Sequence, residues 1–249
     1  MSTYVLIHGS WHGAWCWYKI IPLLEQAGHQ AIALDLPGHG RDWTAAREVS
    51  LQSYVESVCN ILDAQPEPVI LVGHSRGGIV ISQAAERRPE KIQSLVYLAA
   101  FLIPNGEAML PTALSDSESL IVSNLVVNEE QGSHMLKAEA FREALYADCS
   151  EEDVALATAL LTPEPNAPVA TPLHITEEHF GRIPRVYIET LRDRGVSPSL
   201  QRKMYTTLPC QLVIPMQTSH SPFFSAPQEL VRHLTSLVPM NEDPRIATV

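Results

Sequence analysis

"VILVGHSRGG", residues 69–78, decides the fold. Four aliphatic residues at 69–72 run straight into Gly73-His74-Ser75-Arg76-Gly77-Gly78. A run so short and so apolar reads as a parallel strand buried on both faces. Residues 77–88 read as a helix, with Ile79, Val80, Ile81, Ala84 and Ala85 apolar, and Pro89 stops it. A serine hydroxyl adds nothing to a core. Set between glycines at two-residue spacing, however, it can sit on a very tight turn, because glycine has no Cβ to obstruct the returning backbone. The pattern predicts a serine exposed on a strained strand-to-helix corner, the G-x-S-x-G nucleophile elbow. Five residues are weak evidence alone; the strand before and the helix after give them weight.

The same alternation extends outward. Residues 4–8, 30–36, 94–99, 185–189 and 211–215 also read as strands, and 15–27, 51–64, 198–207 and 227–237 as helices. Strand and helix in turn up to residue 99 predict a parallel sheet with helices on both faces. Between 104 and 183 the rhythm breaks into helical stretches (137–146 and 151–161) and the proline-rich "TPEPNAPVATP" at 162–172. It resumes afterwards. The expected fold is therefore α/β. One domain, residues 1–103 and 184–240, holds a six-stranded, mostly parallel sheet, interrupted by an inserted helical cap at 104–183. A separate second domain is the other reading of that segment. The polar tail at 241–249 is expected to be disordered.

Composition excludes several classes. The 249 residues are 45% hydrophobic and 18% charged, as in an ordinary globular chain. A formal net charge of −11 provides no basic face for nucleic acid. Cys16, Cys59, Cys149 and Cys210 are scattered without a C-x-x-C pair, so neither a zinc site nor a redox motif is signalled. No G-x-G-x-x-G and no clustered metal ligands occur, and no metal or cofactor is expected. No apolar stretch is long enough to cross a membrane, and no signal peptide is expected before the first strand. The expected setting is cytoplasmic, with a small molecule as partner and homodimerisation left open.

Ligands of an open parallel sheet bind at the carboxyl ends of its strands. A serine there needs a base, and histidine is the usual one because it titrates near neutral pH. Of the ten histidines, His220 follows the strand at 211–215, just before the last helix. His74 adjoins the serine and cannot easily turn back onto its Oγ. Asp193 follows the strand at 185–189 and would orient the base; Glu189, on the strand, is its rival, and pairing to Arg192 or Arg194 is the purely structural reading. The order Ser75, Asp193, His220 suits this arrangement. Oxyanion donors are expected from the backbone N–H of Arg76, after the nucleophile, and of Ser10, in the first-strand loop "HGSWHG" at 8–13. The Arg76 side chain is left open between a polar contact and solvent.

"VLIHGSWHGAWCW", "LDLPGHG", "VILVGHSRGG" and "TSHSPFF" resemble the α/β-hydrolase superfamily. More narrowly they resemble its branch of plant salicylate-binding methyl esterases, hydroxynitrile lyases and bacterial esterases such as pyrethroid hydrolases. The likeness covers nearly the whole chain and is weakest at 104–183. It implies the same roles for Ser75, Asp193, His220, Ser10 and Arg76. Lyases of this branch carry lysine directly after the histidine, where this chain has Ser221, and threonine before the loop donor, where it has Gly9. The expectation is thus a carboxylesterase that works through an acyl-enzyme. A hydroxynitrile lyase and a non-catalytic small-molecule receptor are the alternatives. The aliphatic stretches "MLPTAL" and "LIVSNLVV", with Trp11, Phe101, Phe180 and Phe223 as pocket candidates, point to a fairly apolar, small to medium ester.

Overall fold

A computed structural model describes residues 1–237; the tail expected to be disordered lies outside the described residues. In chain order the main elements are β1 (Thr3–Ile7), α1 (Ile20–Gln26), β2 (Gln30–Ala33), α2 (Leu51–Asp63), β3 (Val69–His74), α3 (Gly77–Arg87) and β4 (Ile92–Leu98). The inserted segment holds α4 (Met109–Leu114), β5 (Leu125–Asn128), β6 (Ser133–Leu136), α5 (Phe141–Leu145), α6 (Glu151–Leu160), β7 (Glu164–Pro165) and α7 (Asn166–Ala170). The main alternation then closes with β8 (Arg185–Thr190), α8 (Pro198–Thr207), β9 (Leu212–Met216), α9 (Pro222–Ser225) and α10 (Pro227–Ser236).

The main sheet has six strands in the order β2-β1-β3-β4-β8-β9, and every pairing is parallel. β8 pairs directly with β4, Leu95 opposite Arg185, so the inserted segment adds no strand to this sheet. Side chains alternate across each strand and fill two separate cores. Val5, Ile7, Leu71, Leu95 and Tyr97 pack on one face against Val55, Val58 and Leu62 of α2 and Ile79 and Val80 of α3. Tyr4, Leu6, Ile70, Val72, Val96 and Leu98 pack on the other against Ile20 and Leu24 of α1 and Leu230 and Leu234 of α10. The chain leaves β1 toward β2 and returns on the opposite side as β3. That reversal opens a crevice at the carboxyl ends of β1 and β3.

Several boundaries differ from the sequence expectation. The helix expected at 15–27 becomes a 3₁₀ turn at Ala14–Trp17 and α1 from Ile20. Pro22 explains it: proline lacks an N–H and collides with the carbonyl four residues back, so it belongs in a helix's first turn. The inserted segment is not purely helical. β5, β6 and β7 form a three-stranded antiparallel sheet, with Leu125 opposite Leu136 and His134 opposite Glu164. Gly132, at φ 63°, helps reverse the chain between β5 and β6. The helix expected at 137–146 shrinks to α5 and a preceding 3₁₀ turn.

Candidate active site

β3 ends at His74, and Ser75 is held at φ 52°, a left-handed conformation that L-residues with a Cβ adopt at a cost. Its backbone is pinned on both sides: the N–H donates to Leu98 O at 3.1 Å, and the carbonyl accepts from Gly78 and Phe101, both at 3.0 Å. Gly77 permits the close approach that follows, since a Cβ there would lie 2.9 Å from Ile7 O. Trp11, at φ 63°, and Ala99, at φ 46°, hold similar conformations beyond the ends of β1 and β4. The three strained residues thus follow three adjacent strands.

Ser75, His220 and Asp193 come together. Ser75 Oγ lies 3.1 Å from His220 Nε2, and His220 Nδ1 lies 2.7 Å from Asp193 Oδ2. All three are largely buried, Ser75 at 7% exposure. Asp193 also accepts from the Gly195 and Val196 N–H groups at 2.7 and 2.9 Å, Thr190 Oγ1 at 2.8 Å and Gln201 Nε2 at 3.2 Å. With this many donors the carboxylate is rigidly placed. The structural alternatives for Asp193 fall away: Arg192 pairs with Asp148 and Arg194 with Glu143. Glu189 faces elsewhere, with Oε1 2.8 Å from Arg202 Nε.

His74 does not approach Ser75 Oγ; its Nε2–H donates to the His220 carbonyl at 2.8 Å, bracing that residue's backbone. Burial holds it well below the ordinary histidine range and therefore neutral. His12, lowered to about 3 chiefly by burial, is neutral as well. It donates from Nδ1 to Ser10 O at 2.7 Å and accepts from Tyr146 Oη at 2.7 Å. The backbone N–H groups of Ser10 and Arg76 find no acceptor among the described residues, which leaves both free beside Ser75.

The Arg76 side chain neither reaches solvent nor enters the cavity. It is fully buried, with Nε 3.0 Å from Glu164 Oε1, Nη2 donating to Gly9 O at 3.1 Å, and Cζ 4.6 Å from the Tyr54 ring centroid. Glu164 was not foreseen. A lone acid between prolines in a loop-like stretch gives no sequence signal, and its partners are distant in sequence.

A cavity over Ser75 is lined by Ser10, Trp11 and Phe101 from the core, and by Met109, Leu114, Ile121 and Leu125 from the inserted segment. The aliphatic stretches singled out in the sequence do line it. Phe180 and Phe223 do not. Phe180 lies under the Arg185 guanidinium at 4.8 Å, and Phe223 packs edge-to-face with His74 at 4.9 Å and tilted against Trp17 at 5.2 Å, inside the second core. Both were drawn into packing because a buried phenyl ring gains wherever apolar neighbours surround it. His134, read as a residue of the inserted segment, joins the lining, its Nδ1 2.7 Å from Asn166 Oδ1. Among the described residues no group of three or more His, Cys, Asp or Glu could hold a metal ion, and no helix is long and apolar enough to cross a membrane.

Comparison with known proteins agrees with this architecture. A chloroplastic member of the methylesterase series of Arabidopsis thaliana, number 11, is 36% identical over 249 residues, 95% of this chain. The chain spans 64% of that relative's length. Methylesterase 1 of the same plant is 35% identical, with 91% of this chain and 92% of the relative covered. The crystal structure of a pyrethroid hydrolase from Sphingobium faniae superposes with a TM-score of 0.85 at 28% identity, covering 94% of this chain and 96% of the other. The model of the alpha/beta hydrolase family matches residues 4–233, and the chain belongs to that family.

Proposed function

We propose that the protein is a serine carboxylesterase for small to medium, fairly apolar esters. The observation that carries it is the hydrogen-bond chain from Asp193 through His220 to Ser75 Oγ, at the floor of an apolar cavity. Ser75 Oγ attacks the ester carbonyl while His220 Nε2 takes its proton. Asp193 holds the imidazole in the productive tautomer and stabilises the imidazolium. The negative charge on the former carbonyl oxygen is received by the N–H groups of Ser10 and Arg76. Collapse breaks the C–O bond, and His220 returns the proton to the leaving alcohol. Water then enters, His220 deprotonates it, and attack on the acyl-enzyme releases the acid and restores Ser75. Every proton taken is given back, and no redox partner is needed.

The inserted segment 104–183 acts in this reading as a cap, since it supplies the aliphatic wall above Ser75. Methylesterase relatives favour a small leaving alcohol. The lyase alternative is weakened at Ser221, buried where a lysine would be needed. A screen of p-nitrophenyl and methyl esters of increasing acyl length, with Ser75→Ala as blank, tests the proposal. Turnover that vanishes in Ser75→Ala supports it. Binding without turnover would point to a receptor, and cyanide release from a cyanohydrin to a lyase.

A further inference from the structure

Ser10 can act as an oxyanion donor only if its backbone N–H stays aimed at the space above Ser75 Oγ. It sits in a three-residue stretch whose three carbonyls and Trp11 N–H are all tied down. Gly9 O accepts from Arg76 Nη2 at 3.1 Å and from His8 Nδ1 at 2.8 Å. Ser10 O accepts from His12 Nδ1 at 2.7 Å. Trp11 N–H donates to Glu164 Oε2 at 3.1 Å, and Trp11 O accepts from Thr162 N at 2.9 Å. The positions on either side of Ser10 are thus gripped by the two members of one buried ion pair. Arg76 is also the residue whose own N–H is the second donor.

Glu164 is unexposed and comes from β7, in the inserted segment. Besides Trp11 and Arg76, it accepts from His39 Nε2 at 2.9 Å and Tyr54 Oη at 3.3 Å. Burial alone would raise its pKa, but the Arg76 guanidinium and His39 hold it well below the usual carboxylate range. Such a pair does little for net stability, because desolvating two charges cancels most of their attraction and apolar residues of similar size often do as well. Apolar residues could not, however, hold a carbonyl at position 9 and an N–H at position 11. We propose that Glu164 and the Arg76 side chain are a positioning pair that fixes the oxyanion loop, so that the inserted segment sets the catalytic geometry as well as the cavity wall.

This inference rests on the esterase reading, and Ser75→Ala separates the two: activity surviving in that variant overturns the underlying reading. The test of the pair uses Glu164→Gln and the double variant Arg76→Met with Glu164→Leu, which removes both charges together. The concentration of working sites is titrated with a p-nitrophenyl phosphonate, so that loss of folded enzyme is not read as loss of rate. The kcat per titrated site should fall on the order of 10- to 100-fold, less than removing a donor outright, with KM within about threefold. Affinity for a trifluoromethyl ketone, which forms a tetrahedral oxyanion on Ser75, should fall by a similar factor. The pH profile should keep its midpoint, since Ser75, His220 and Asp193 keep their contacts. A role in folding alone would lower the titrated fraction and leave kcat per site unchanged, which overturns the proposal. If neither variant folds, the pair belongs to stability and the proposal likewise fails.

Discussion

Ser75 occupies a conformation that the surrounding backbone must enforce, with its hydroxyl delivered to His220 Nε2 at 3.1 Å. Ser75→Ala removes the proposed nucleophile and leaves the turn intact, so the protein should fold while ester kcat drops roughly 10⁵- to 10⁶-fold, as in protease triads. Steady-state hydrolysis of one p-nitrophenyl ester decides it; a tenth of the activity remaining would mean another nucleophile. Asp193 and Glu189 give a sharper contrast. Both are buried acids near the end of β8, yet only Asp193 reaches the histidine, and Glu189 pairs with Arg202. Asp193→Asn should cost about 10⁴ in kcat by favouring the wrong imidazole tautomer. Glu189→Gln should change kcat far less. A reversal of that order would reassign the acid. Sequence position alone named Asp193 but could not separate the two acids, because both lie at the same strand end and only the side-chain directions differ.

At the scale of the element, α3 shows how tightly the elbow is built. Gly78 lies in its first turn, where alanine would ordinarily stabilise a helix by up to about 1 kcal/mol. Here a Cβ would fall 2.2 Å from the Phe101 carbonyl oxygen, a backbone atom that cannot swing aside. Gly78→Ala should therefore destabilise, by about 1–3 kcal/mol or more, as overpacking does. Denaturant titration against wild type checks it, and a stabilised variant would mean that the loop at Phe101 yields. The glycine spacing of the elbow was legible because its geometry is local. The β5–β6 hairpin was missed although its signals are present, Val126 and Val127 followed by a turn with Gly132. Helix-like spacing in the neighbouring stretches, and strands of only four residues, concealed it.

At the scale of the whole molecule, the histidines of the site region confer a dependence on acid. His8, His12 and His74 are fully buried, and desolvation is the leading cause that lowers all three, His12 to about 3. An unfolded histidine takes a proton near pH 6.5, where the folded protein keeps these three neutral. Their contribution to stability is therefore complete above about pH 6.5 and is lost progressively as pH falls toward the folded values. For His12, lowered to about 3, the loss at pH 5 is about 2 kcal/mol, and His8 and His74 act in the same direction. Glu164, also lowered, acts in the same direction further down, losing its contribution as pH falls below the unfolded carboxylate value of about 4.3. Guanidinium unfolding at pH 7.5 and 5 should show a clearly lower midpoint at pH 5. Equal midpoints would mean that these side chains gain protons without disturbing the fold.

The sequence by itself determined the parallel sheet, the elbow and the chain order of the proposed serine, acid and base. Those features are written in short aliphatic runs, glycine spacing and the rhythm of strand and helix, each readable within a few residues. Tertiary structure alone decided which acid meets His220, where Phe180 and Phe223 pack, and that Arg76 is buried against Glu164. Ser75 and His220 are 145 positions apart, and Trp11 and Glu164 are 153 apart. Contacts over such separations depend on the register of several strands and on how the inserted segment closes over them, and no local pattern of residues encodes that sum.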